Sequence, residues 1–436
     1  MRLATERASR VSTTATSRNK QKVKKTLPIL IVLTLIIVSA VRSCWGGDDD
    51  SVSNTEKKEL IPIDEKLASE IDSFINSAYR VGSVAVNVFD ITAQRELYNY
   101  HGEELKRPAS CMKLLTCVAA LHRLGTRYEY KTSIYADGKI HKDTLYGDLI
   151  LKTTFDPSFN RDSLFLLLDK LKATNLKAVK GKVKLDMVFT EPMNHEKHWT
   201  PGDLKISRMG LIYHGYRRMK KEILYAIPSR TGISLTKDNI VLGRVNPHTS
   251  KLLAEMRTPI HYAIDKALKN SSNINAEGLL YPLGYTLNAK GSYRNNGMAY
   301  LKKFIREELH LDPAKVCIID DGCGLCPDDR LSPKLLTAIL NYAYKHKRIY
   351  TEVYEDLPLS GTDGTLYDRM RKPNVVGKVK AKTGTLTREG GISSLSGYFI
   401  GRDNHLLCFS IINNECPVME GRSWQDKLFS KVIFPK

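Results

Sequence analysis

From Ser110 to about Leu124 the chain carries a run that is apolar on nearly every side of a helix, with Pro108 before it and Gly125 after it. A helix with no polar face must lie at the centre of a domain, wrapped by other elements. With 436 residues the chain can bury such a centre, and its length suggests two or three domains. A helix is expected to start near Asp64, with Leu67, Ile71, Phe74, Ile75 and Ala78 on one face and Gly82 ending it. Alternation through Val84, Val86 and Val88, then Leu97–Tyr100, predicts two antiparallel strands. From about Tyr128 to Leu242 the pattern changes to short strands, one amphipathic helix (Ser163 to Ala173) and turns rich in Gly, Pro and Asp, as in an inserted domain. Helices return at roughly Thr258–Lys269, Ala299–Leu309 and Pro333–His346. Three strand-like runs, Val379–Leu386, Ile392–Ile400 and Leu406–Asn413, precede a last helix from Trp424. The order predicts an α+β fold in which both chain ends feed one sheet.

The N-terminus constrains where the body resides. Residues 1–25 hold eight basic side chains against one acid, Glu6, so +7 of the net +20 sits there. An apolar stretch follows from Leu27 to Val41, closed by Arg42. It is short for a membrane span and long enough for a signal core, and the basic flank should stay cytoplasmic. Everything after Trp45 is therefore expected to be exported, with 1–26 as a cytoplasmic tail, 27–45 as a signal or membrane-anchor segment and the acidic, glycine-containing stretch 46–58 as a linker. Signal anchor, lipidation at Cys44 and simple cleavage all remain open. No zinc-finger spacing or arginine-rich recognition helix accompanies the basic surface, so an anionic membrane or wall polymer is preferred over nucleic acid. The eight cysteines give no readable disulfide grid, and Cys323-Gly-Leu-Cys326 is a lone CxxC. His195-Glu-Lys-His198 has its histidines three apart instead of four, which spoils the helix face that would hold zinc.

Chemistry needs a nucleophile with its own base. Ser110-Cys-Met-Lys113 opens the buried helix, and a spacing of three puts serine and lysine on one face. Burial disfavours the ammonium, which makes neutral lysine available as a base near neutral pH. Ser-x-x-Lys alone is a weak signal, since it recurs at Ser17–Lys20 and Ser234–Lys237. Ser271-Ser-Asn273 offers a hydroxyl for a proton relay and an amide for substrate contact. Lys382-Thr383-Gly384 occurs once, in an alternating strand pattern. Its glycine admits a substrate backbone, and its lysine and threonine suit a carboxylate. Order, element type and separation match together only for 110, 271 and 382.

The three motifs in this order resemble the penicillin-recognising serine enzymes. The flanks Pro108–Thr116, Lys269–Glu277, Asp321–Cys326 with Arg330–Pro333, Leu357–Leu366 and Lys380–Leu386 are similar to the class C low-molecular-mass penicillin-binding proteins, the D-alanyl-D-alanine carboxypeptidase/endopeptidase family. The resemblance covers about residues 60–436. It implies a serine β-lactamase/transpeptidase-like sheet with flanking helices, a discontinuous catalytic domain (59–127 and 243–436) and a β-rich insert (128–242). It also implies hydrolysis of the terminal D-Ala of peptidoglycan stem peptides through an acyl-enzyme on Ser110, acylation by penicillin and other β-lactams, and no metal or cofactor. Lys113 would be the base, Ser271 the proton shuttle to the leaving amine, and Asn273 the orienting amide. Lys382, Thr383, Gly384 and Thr385 would bind substrate, with the Ser110 and Thr385 N–H groups as oxyanion hole. Cell-envelope localisation and peptidoglycan as partner follow from the same resemblance. The alternatives are a DD-endopeptidase cutting cross-links, a β-lactamase, for which no Glu-x-x-Leu-Asn water base is seen, and a catalytically silent wall-binding scaffold. Cys323 and Cys326 stand where the family has serines, and Thr153-Thr-Phe155 replaces a glycine-rich segment before Asp156-Pro157.

Overall fold

The computed structural model describes residues 60–77, 81–193, 210–388 and 390–436. The tail, the apolar stretch Leu27–Val41, Cys44 and the linker lie outside the described residues, and so does His195–His198. No helix among the described residues is long and apolar enough to cross a membrane.

In chain order, α1 (Glu65–Ile75) is capped by the Asp64 carboxylate, which accepts from Leu67 N at 2.9 Å. Its buried Leu67, Ile71 and Ile75 recur at helical spacing. Strands β1 (Ser83–Asp90) and β2 (Arg95–Tyr100) form a hairpin. A 3-10 turn, Ala109–Cys111, leads into α2 (Met112–Leu124), so the apolar helix starts two residues later than its sequence pattern suggests. Then come β3 (Glu129–His141), β4 (Thr144–Lys152), α3 (Arg161–Lys172), β5 (Ala178–Val179), β6 (Val183–Asp186), α4 (Gly215–Thr231), β7 (Ile240–Leu242) and β8 (Lys251–Pro259). After these lie α5 (Ile260–Leu268), α6 (Asn273–Leu287), α7 (Tyr293–Glu307), β9 (Cys317–Ile318), β10 (Arg330–Leu331), α8 (Pro333–Lys345) and α9 (Lys347–Asp356). The chain closes with β11 (Val379–Leu386), β12 (Ile392–Ile400), β13 (Leu406–Asn414) and α10 (Val418–Leu428).

Five strands form one antiparallel sheet in the order β11-β12-β13-β1-β2, so both ends of the described chain do build it. One face packs Tyr398, Cys408 and Ile412 against the core that contains α2 and α8. The other packs Leu395, Phe399, Phe409 and Ile411 against Leu67, Ile71 and Trp424 of α1 and α10. Each fully buried side chain of this kind contributes about 1.5–3 kcal/mol relative to exposure. A second sheet, in the order β7-β6-β4-β3-β8 with β5 beside β4, spans residues between 129 and 259. In chain order α3 falls between the parallel strands β4 and β6, and α4 between the parallel strands β6 and β7.

Helices α4, α6 and α9 are missing from the sequence reading, and the first two show why. In α4 the run Arg217-Arg-Met-Lys-Lys-Glu222 obscures the periodic Met219, Ile223, Ala226 and Ile227, which are buried. In α6, Gly278, Pro282 and Gly284 are poor helix formers. They are kept because a Cβ at Gly278 would meet Pro157 at 2.8 Å and one at Gly284 the Tyr293 carbonyl at 1.9 Å, so helix packing requires glycine there. The last helix begins at Val418 instead of Trp424, since Pro417 sets its start.

Candidate active site

The turn at Ala109–Cys111 presents Ser110 in a partly exposed position, directly after Ala109 at φ 45°. A non-glycine residue with positive φ costs of order 1–3 kcal/mol and persists only where its surroundings enforce it. They do so here: Pro108 O accepts from Ser394 Oγ at 2.6 Å and from Cys111 N at 3.2 Å. One helical turn on, fully buried Lys113 sends Nζ to Ser110 Oγ (2.9 Å), Asn273 Oδ1 (2.8 Å) and Cys323 O (2.6 Å). Burial pushes its proton affinity down; the thiol of Cys323 and the carboxylates of Asp321 and Glu277 oppose the shift without cancelling it. An amine with this environment is available as a base at lower pH than free lysine.

Ser271, Ser272 and Asn273 reach the cleft as a helix cap. Ser272 caps α6, its hydroxyl accepting from Asn275 N, and Asn273 is the first helical residue, aimed at Lys113. Ser271, at φ 58°, precedes the cap and accepts from Lys382 Nζ at 2.9 Å. Lys382 is also fully buried, and its pKa is pushed down to about 7, first by burial and next by the charge of Lys113. The sequence-expected Ser110, Lys113, Ser271, Asn273 and Lys382 thus fall into two hydrogen-bonded groups, Ser110–Lys113–Asn273 and Ser271–Lys382, close enough for the charge of Lys113 to act on Lys382.

Strand β11 is the edge of its sheet. Its first half is covered, with Val379 O accepting from Ser360 N at 2.9 Å and Ala381 N donating to Pro358 O at 3.0 Å. By the two-residue period of a strand, the backbone groups of Thr383 and Thr385 point to that same edge, past the point where the cover stops. An extended peptide can align there, and the Thr385 N–H is directed toward it. Gly384 lies hard against the serine turn: a Cβ on it would sit 2.0 Å from Ser394 Oγ, 2.5 Å from Pro108 O and 3.1 Å from Ser110 N. Here glycine is needed for close approach, not for backbone freedom.

Several contributors escape sequence reasoning. Cys323 acts through its carbonyl, which has no side-chain signature. Asp321 holds that loop: its Oδ1 accepts from Cys323 N (2.8 Å) and Gly324 N (2.5 Å), and its Oδ2 from Leu325 N (3.0 Å) and Cys326 N (2.7 Å). Thr383 Oγ1 donates to Thr365 Oγ1 at 2.7 Å, and Arg422 Nη2 donates to Thr385 Oγ1 at 2.9 Å. Lys269 Nζ ties Leu357 O and Asp363 to the end of α5, steadying the loop that covers β11. The segments 321–326 and 357–366 are visible in the sequence only as flanks of the family resemblance.

Comparison with known proteins gives the family and the fold. The chain is 22% identical over 424 residues to the D-alanyl-D-alanine carboxypeptidase DacB of Haemophilus influenzae, covering 78% of this chain and 86% of that one. It is 24% identical over 451 residues to a D-alanyl-D-alanine carboxypeptidase of an Actinomadura species, covering 80% and 81%. The crystal structure of penicillin binding protein 4 from Haemophilus influenzae superposes with a TM-score of 0.70 at 20% identity, covering 83% of this chain and 99% of that one. That likeness is one of fold, the α+β arrangement of a penicillin-binding protein. The model of the D-Ala-D-Ala carboxypeptidase 3 (S13) family matches residues 67–211 and 221–430. It therefore spans both sheets and all three motifs, and the chain belongs to that family.

Proposed function

We propose that this family member hydrolyses the terminal D-Ala–D-Ala bond of peptidoglycan stem peptides through an acyl-enzyme on Ser110, and that penicillin acylates the same hydroxyl. The observation that carries this is a fully buried amine, Lys113 Nζ, 2.9 Å from a partly exposed hydroxyl, with its proton affinity pushed down. Neutral Lys113 takes the Ser110 proton as Oγ bonds to the carbonyl carbon of the penultimate D-Ala. The oxyanion faces the N–H groups of Ser110 and Thr385, each such donor contributing about 3–4 kcal/mol. The proton passes by way of Ser271 to the departing amine as the C–N bond breaks and D-Ala leaves. Water then attacks the ester, its proton going to Lys113 and on to Ser110 as the C–O bond breaks. Lys382 and Thr383 hold the substrate carboxylate, and Asn273 orients Lys113 and the substrate amide.

We assign residues 128–242 as an inserted domain that shapes access to this cleft, its sheet completed by β8 beyond that boundary. The body is assigned to the cell envelope, tethered by residues 27–45, in keeping with a peptidoglycan substrate. The test is release of D-Ala from an acylated D-Ala-D-Ala peptide by purified protein and by Ser110→Ala. Release is expected from the first and not from the second; equal release from both refutes the assignment. Digestion of cross-linked muropeptides in parallel measures any endopeptidase share, and nitrocefin turnover any β-lactamase activity.

A further inference from the structure

Arg422, in the first half of α10, is bound to the substrate strand through a hydroxyl and not through an acid. Its Nη2 donates to Thr385 Oγ1 at 2.9 Å, its Nη1 lies 4.0 Å from Met419 Sδ, and its Nε is buried with no partner. The acid one turn on, Asp426, accepts from Arg369 Nη2 at 2.6 Å, and the same guanidinium donates to Gln425 Oε1. Arg422 itself makes no ion pair among the described residues. Burial, and next the Arg369 charge, push its proton affinity below that of ordinary arginine, and the Asp426 carboxylate opposes the shift without cancelling it. A partly desolvated guanidinium beside a second cation is stabilised by an incoming anion. A hydroxyl has one hydrogen and two lone pairs, so Thr385, by accepting from Arg422, keeps its own O–H to donate.

We infer that Arg422 is a positioning residue for the free carboxylate of the departing amino acid: it acts through the Thr385 hydroxyl and makes the enzyme select carboxylate-terminated peptides over capped ones. This rests on the proposed hydrolysis and extends it to a side chain outside the three motifs. The positive groove that continues from it, lined by Arg371 and Lys372, adds long-range attraction for the same charge.

The test compares kcat/KM for an acylated D-Ala-D-Ala peptide and for its C-terminal amide, in wild type, Arg422→Met and Arg422→Lys. Methionine keeps the packing of α10, and lysine keeps the charge without the fork. The acid-to-amide ratio is expected to fall about 10- to 100-fold in Arg422→Met, the range for a lost hydrogen bond to a charged group, chiefly through KM. It should fall less in Arg422→Lys. Equal losses on both peptides, or no loss on either, overturn the inference and leave Arg422 a structural clip between α10 and β11. A wild type that cleaves neither peptide overturns the functional proposal, and this inference with it.

Discussion

Replacing Lys382 by methionine should make the protein more stable while disabling it. Lys382 is fully buried, and its pKa falls from 10.5 to about 7, first through burial. At about 1.4 kcal/mol per tenfold, holding that ammonium inside costs about 5 kcal/mol at acidic pH. Methionine removes the cost but leaves Ser271 Oγ and Thr383 O without their donor, a loss of about 1–3 kcal/mol. The net gain at pH 6 is therefore about 2–4 kcal/mol, or roughly 3–5 °C in Tm for a body of this size. The sign with pH follows from proton linkage. The unfolded lysine binds a proton that the folded one has lost between pH 7 and 10.5, so wild-type stability rises across that window. The advantage of Lys382→Met is thus full below pH 7 and shrinks as pH climbs through it. Calorimetric unfolding of both proteins at pH 6 and pH 10 measures this. A variant less stable than wild type at pH 6, or a difference that does not change with pH, refutes the assignment of Lys382 as a costly buried cation.

The other expectations concern the rest of the cleft. Acylation by penicillin should accelerate with rising pH as Lys113 loses its proton and level off well before the usual lysine value, because burial lowers its affinity; stopped-flow rates still climbing at pH 10.5 contradict this. Gly384→Ala should slow acylation at least about 100-fold and cost about 1–3 kcal/mol, since its Cβ would press on Ser394 Oγ and Pro108 O; a labelling rate within threefold of wild type contradicts it. Asp321→Asn should cost about 3–5 kcal/mol in urea unfolding, by turning an amide N–H₂ toward backbone donors in a buried loop. It should also slow acylation, because Cys323 O loses its register on Lys113 Nζ; a variant with unchanged midpoint and rate removes Asp321 from the account.

Much of this was legible in the residues because the periodic patterns were strong. The alternation at Val84, Val86 and Val88 and the three C-terminal strands mark the central sheet, and the apolar run after Ser110 marks its buried helix. The motifs were legible because side chains carry them. What stayed hidden was set by packing. Helix α6 contains residues that disfavour helices, yet its neighbours demand them. Strand β8 buries only Ala254, and its pairing with β3 runs over 100 residues of separation. At the site, the carbonyl of Cys323, the Asp321 loop and Arg422 contribute through backbone atoms or contacts between distant segments, and no local spacing encodes them.

One measurement goes straight to the central claim, that a single serine is activated by a buried amine. Intact protein is incubated with benzylpenicillin, digested, and the modified peptide located by mass spectrometry. The expected adduct carries the whole penicillin mass on the peptide containing Ser110, once per chain, and is absent from Lys113→Met at neutral pH. No adduct, or one carried by Ser271 or by one of the buried cysteines, contradicts the account.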